Sequence, residues 1–138
     1  MKTFKPLLTE SITAAADTVK NRFIGFDGAL CNANVRALGV SETDTKAGQQ
    51  LPVVIKGIAI IVAAGVIAAG AAVASDANGK ASAASAISVT IPAGGTAVTS
   101  SAAQPNLVVN GGKLPQAING YALDAAGADG DLIRVVLG

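Results

Sequence analysis

The chain has no histidine, no tryptophan, one cysteine and, in 138 residues, only four aromatic side chains: Phe4, Phe23, Phe26 and Tyr121. Without histidine, Ser-His-Asp and Cys-His catalytic sets are excluded in their usual form. Cys31 has no second thiol, so it can neither close an intramolecular disulfide nor, without histidine, anchor zinc; the expectation is a small buried or half-buried apolar residue. Charge is scarce as well, with ten basic and nine acidic residues and a net charge of +1. The basic residues are scattered singly, which gives no electrostatic footprint for nucleic acid. No phosphate-binding loop is present, because Gly111-Gly112-Lys113 lacks the leading glycine and runs into Leu114. Asp124, Asp129 and Asp131 are the only grouped aspartates, and their spacing misses the calcium-loop pattern, so a solvated turn is expected. Lys56 lies within an apolar run, where a snorkelling lysine that discourages aggregation is commoner than a nucleophile. These absences imply a protein that is not an enzyme, with no cofactor, no metal site and no small-molecule substrate.

Alanine fills the space that larger residues leave, with 29 copies. Small side chains bury little area each, so an isolated monomer would have a thin core, and association with other protein is the usual remedy. Residues 51–110 carry only Lys56, Asp76 and Lys80 as charges. Such a stretch makes a poor free surface, which implies that much of it is covered.

Within that stretch, Gly57 to Ser75 is uncharged and long enough to suggest a transmembrane helix over residues 57–75. Its content argues otherwise: seven Ile and Val, eight Ala, three Gly and Ser75. The β-branched residues favour strands, and the flanks show neither a positive-charge asymmetry nor an aromatic belt. Broken at its glycines, the stretch reads as Pro52 to Ile55 and Ile58 to Val62, either two strands or one bent at Gly57, followed by a strand at Ala71 to Ser75. Asp76-Ala77-Asn78-Gly79 closes the unit as a tight turn. The membrane protein is the alternative reading, with no membrane contact expected in the preferred one.

Elsewhere the punctuation is similar. Residues 1–21 mix Phe4, Leu7, Leu8 and Ile12 with Thr and Ser at no clean period, and Pro6 biases them towards an extended arm; a helix from Ser11 to Lys20 is the rival. Arg22 to Phe26 reads as a strand with both faces covered, Ala29 to Cys31 begins its return, and Arg36 to Val40 is a further strand. Residues 81–116 form a low-complexity insertion with candidate strands at Ile87, Val89 and Ile91 and at Asn106 to Val109. Ala117 to Leu123 is a strand interrupted at Asn119-Gly120, Asp124 to Asp131 a turn, and Leu132 to Leu137 a final strand. Tyr121 is expected to pack its ring and keep its hydroxyl paired or wet. The fold class is mainly β: a small β-barrel or β-sandwich in residues 22–138, with an extended N-terminal arm (1–21) and a strand-and-loop insertion (about 81–116).

These segments occur in an order that carries a resemblance. RFIGFDG at Arg22 to Gly28, ALGV at Ala37 to Val40, Ala47-Gly48 before VVIKG at Val53 to Gly57, IAAG at Ile67 to Gly70, SDANGK at Ser75 to Lys80 and the ending GYALDAAGADGDLIRVVLG from Gly120 are similar to the capsid cement, or head decoration, proteins of tailed bacteriophages. The resemblance covers residues 7–80 and 118–138 and leaves out the segment between them. It implies a β-domain, commonly a homotrimer, that binds the outside of the shell where major capsid proteins meet and staples them together. The partners would then be the major capsid protein and further copies of the chain, and the location the outer capsid surface after synthesis in the host cytoplasm. Phe4, Leu7, Leu8 and Ile12 are the apolar teeth of the arm and hence the candidate capsid or subunit interface. A secreted adhesive or sugar-binding domain is disfavoured by the missing signal segment and the few aromatics.

Overall fold

The computed structural model describes residues 2–86 and 116–138. Two compact units divide the chain, 1–84 together with 116–138, and 85–115. The first unit holds every described strand; the candidate strands at Ile87 to Ile91 and Asn106 to Val109 lie outside the described residues.

Eight strands make one antiparallel sheet: β1 Lys5–Thr13, β2 Phe23–Ile24, β3 Gly39–Ser41, β4 Gln50–Val62, β5 Ala72–Ser75, β6 Ala81–Ala83, β7 Gly120–Ala122 and β8 Leu132–Leu137. The order along the sheet is β2-β3-β4-β8-β7-β5-β6, with β1 paired to β4. A bridge between Ala63 and Ala81, with Ala64 N donating to Ala81 O at 2.7 Å, joins the end of β4 to β6 and nearly closes the sheet into a barrel. The first unit is therefore mainly β and barrel-shaped, as the turn-punctuated sequence implies.

Strand β4 is the hub. Val54 faces both Thr9 of β1 and Val40 of β3, and Ile58 faces both Lys5 of β1 and Val136 of β8, so both of its edges are occupied. The strand bends at Gly57, whose φ of 110° is a conformation that side chains with a Cβ rarely adopt. Around this bend the burial pattern changes phase. Leu51 and Val53 enter one apolar cluster with Ala14 and Ile24, whereas Val54, Ala59, Ile61 and Ala63 enter the main core. Strict alternation would put Val54 and Ala59 on opposite faces, and the irregularity between Val54 and Lys56, where Ile55 has no partner on β1, puts them on the same side. One 13-residue strand thereby serves two cores.

The main core is built from Phe23, Val40, Ile61, Ile67, Val73, Ile133 and Val135 interleaved with Ala59, Ala63, Ala81, Ala122 and Ala126. Each large member contributes about 1.5–3 kcal/mol on burial, and the alanines much less, so close strand approach rather than side-chain bulk fills the interior. Gly120 illustrates this: a Cβ there would lie 2.5 Å from Val135 Cγ1 and 2.6 Å from Val136 O.

Several expectations need correction in detail. Residues 57–75 form no helix; they supply the end of β4, a connection and β5. No helix of the described residues is long and apolar enough to cross a membrane. The strand at Arg22 to Phe26 shrinks to Phe23–Ile24, both buried in different clusters, because Phe26 turns out into solvent. The strand read at Arg36 to Val40 starts only at Gly39, since Ala37 N donates to the Asn119 side chain instead of to a neighbouring strand.

Candidate functional site

β1 is the most unusual element. Eight of its nine residues are exposed and the remaining one, Ile12, is half-buried. Threonine, serine and isoleucine in Thr9 to Thr13 suit an extended backbone, and β4 supplies the pairing surface. The register is broken twice: Pro6 faces Gly57 and Leu8 faces Lys56, which leaves Leu7 without a partner, and Thr9 then faces Val54. The Gly57 bend makes this possible, because a Cβ there would strike Lys5 O and come within 2.6 Å of Leu7 N. Leu7, thrown outward by the bulge, is 84% exposed. Among the described residues β1 pairs with β4 alone, so its second edge has no strand partner.

The four candidate interface residues do not share one environment. Phe4 and Leu8 are exposed beside Leu7, at 43% and 47%. Phe4 also lines a cavity of about 190 Å³ with Ile60, Val40 and Ser41. Ile12 packs inward on the cluster of Ala14, Ile24, Leu51 and Val53 and so ties β1 to its own chain. Preceding residues are held too, since Lys2 Nζ donates to Leu132 O and Arg134 Nη1 donates to Thr3 Oγ1 at 3.5 Å.

A second apolar surface is the outer side of β4, β8 and β7, which sequence reading did not single out. Ile58, Val136 and Tyr121 stand side by side across the three strands, and Val62 stands beside Leu132. Val136, Leu132, Leu123 and Ile118 are exposed, and the Tyr121 ring, expected to pack, is 54% exposed. The inward side of the same strands holds Ala59, Val135 and Ala122, all buried. The signal was available in LIRVVL, whose two faces are both apolar apart from Arg134; in an antiparallel sheet that pattern means that both faces are meant to be covered.

Arg134 is neutralised where it stands. Its Nη2 and Nε donate to Asp124 Oδ1 and Oδ2, each at 2.9 Å, and its backbone N donates to Oδ2 at 3.0 Å. These donors pull the Asp124 carboxyl down to about 2 against the opposing effect of desolvation. The other two grouped aspartates go elsewhere. Asp129 pairs with Lys80 at 2.8 Å, whose hydrogen bond lowers its pKa, and Asp131 accepts from Gly127 N and Ala128 N, closing its own turn. The three therefore do not converge, and no group of three or more His, Cys, Asp or Glu residues among those described could hold a metal. Cys31 is buried, burial pushes its thiol up, and its Sγ lies 3.4 Å from Val35 O, so it behaves as a core residue. Lys56 is exposed opposite Leu8 and is not desolvated in an apolar pocket.

A family model described as phage cement protein matches residues 1–112. That span includes 81–112, which the motif resemblance leaves out, and stops before the ending from Gly120 that the resemblance uses. No curated protein matches the chain. Among solved structures, the N base of the head fiber gp8.5 of bacteriophage phi29 is similar, with a TM-score of 0.63 at 14% identity over 95% of this chain and 93% of that one. At that identity the likeness speaks to the fold. With 112 of its 138 residues matched by the family model, the chain belongs to the phage cement proteins, structural proteins associated with the capsid.

Proposed function

We propose that the protein binds the outside of the shell where major capsid subunits adjoin and stabilises them against separation, assembling there as a homotrimer. The observation that carries this reading is β1: a nine-residue strand held to its own barrel through one edge, with Phe4, Leu7 and Leu8 presented outward. Apolar side chains on an element without a second neighbour expose area that another protein can bury. Ile12 holds the strand in place while Leu7 and Leu8 meet the shell. The apolar outer side of β4, β8 and β7 is available to neighbouring copies.

A reconstruction of particles decorated with the protein tests this. The expected result is density for the barrel over junctions between major capsid subunits, with β1 facing the shell. Density centred on single subunits, or β1 facing solvent, would overturn it.

A further inference from the structure

Two of the Asn-Gly pairs in the sequence lie among the described residues; both glycines are buried, but Asn78 is exposed and Asn119 is buried. We propose that Asn78 is a site of spontaneous deamidation and isoaspartate formation in the folded protein, whereas Asn119, in the same dipeptide, is protected.

Asn78 sits at the tip of the β5–β6 hairpin with its side-chain amide exposed and without a hydrogen-bond partner among the described residues. Gly79 follows with a φ of 72° and offers no Cβ to obstruct the approach of its nitrogen to the preceding side chain. The Gly79 N–H is held only by a long hydrogen bond of 3.2 Å to Asp76 O. Asn119 is held at every polar atom of its side chain: Oδ1 accepts from Ala37 N at 2.9 Å and Nδ2 donates to Val35 O at 3.1 Å. Its own N donates to Val73 O at 2.8 Å, and Gly120 is buried against Val135 and Val136. Reaction at Asn119 thus requires local opening of the barrel, and reaction at Asn78 does not.

The chemistry needs only water. The Gly79 nitrogen attacks Asn78 Cγ; the new C–N bond forms as Cγ–Nδ2 breaks, and water takes the Gly79 proton and returns one to the departing Nδ2, which leaves as ammonia. Water then opens the succinimide at one carbonyl or the other, giving aspartate or isoaspartate. Isoaspartate lengthens the backbone by one carbon in a turn whose Gly79 O accepts from Phe23 N at 2.6 Å, a contact that ties β2 to the hairpin. Either product places a new carboxylate beside Asp76 and near Arg22, whose Nη1 donates to Asn78 O at 3.3 Å. The reaction depends on local chemistry alone, so its outcome is independent of the capsid reading.

The test is to incubate the full-length folded protein at mildly alkaline pH, with a urea-unfolded sample beside it, and to follow both sites by peptide mapping and isoaspartyl methyltransferase labelling. In the folded protein Asn78 should convert at least about tenfold faster than Asn119, and in the unfolded chain the two should convert at similar rates. An Asn78→Ser variant should lose the folded-state labelling assigned to that peptide. Asn119 converting as fast as Asn78 in the folded protein, or Asn78 staying intact while its unfolded counterpart converts, would overturn the proposal.

Discussion

β1 and β4 are paired over most of β1's length and could hardly differ more in what they bury. β4 puts six of its thirteen residues, between Leu51 and Ile61, out of contact with water, whereas β1 buries none. β4 has both edges occupied and β1 only one among the described residues. The difference separates two jobs within one sheet: β4 organises the fold, and β1 is supported by it so that its own side chains remain available. Under the proposed docking role, what β1 offers to another protein accounts for its contributing so little to its own core.

The contrast can be tested by substitutions graded from the hub outward. The largest effect is expected at Ile61, fully buried on β4, where Ile61→Ala should cost about 3 kcal/mol through lost transfer energy and an unfilled cavity, read by urea unfolding. Next comes Gly57→Ala, which meets both an unfavourable backbone angle and the backbone of Lys5 to Leu7; a loss of about 2 kcal/mol with displacement of β1 is expected. Gly48 supplies the control, because its φ of 83° is similar but nothing lies within 4 Å of an added Cβ. Gly48→Ala should therefore cost only about 1 kcal/mol, and equal losses at the two glycines would contradict the close approach of β1 to β4.

Acid unfolding gives a subtler comparison. Asp124 is held at about 2, below its ordinary value of 3.8, by Arg134. Its contribution to stability is therefore fully present above pH 3.8 and is lost as pH falls through about 2. Asp124→Asn should weaken the protein at neutral pH and flatten the fall in stability across that window. An unchanged acid profile would show that the pair on the outer side of β8 is energetically idle. At the far end of the series, Leu7→Asp should shift stability by no more than about 0.5 kcal/mol, since the side chain is already in water.

Local signals made the fold's class and its regular segments legible. β8 coincides with the apolar run Leu132 to Leu137, β5 falls within Ala71 to Ser75, and the Asn78-Gly79 turn closes β5 onto β6. The bend at Gly57 was one of two readings of the same residues. What sequence could not supply depends on contacts between distant segments. The second cluster, joining Ile12 and Ala14 to Ile24 and Leu51, exists only once β1 is laid on β4. Asp124, Asp129 and Asp131 look alike in sequence and take three separate partners. Alternation puts Leu132, Arg134 and Val136 on one side of β8, but only the pairing of β7 with β8 sets Tyr121 beside Val136. The candidate site was legible as apolar teeth near the N-terminus, but only the pairing divides them into exposed Phe4, Leu7 and Leu8 and inward Ile12. The same pairing bears on experiments: deleting residues 1–12 would also bare β4 from Leu51 to Ile58, so a point substitution is the cleaner probe.

Whether β1 is held by the barrel in order to bind the shell is tested by co-sedimentation of Leu7→Asp with capsids lacking the protein, alongside its thermal unfolding. If β1 binds the shell, the wild-type protein sediments with the shells, whereas Leu7→Asp stays in the supernatant and unfolds at the wild-type temperature. Leu7→Asp sedimenting with the shells as fully as the wild type would contradict it.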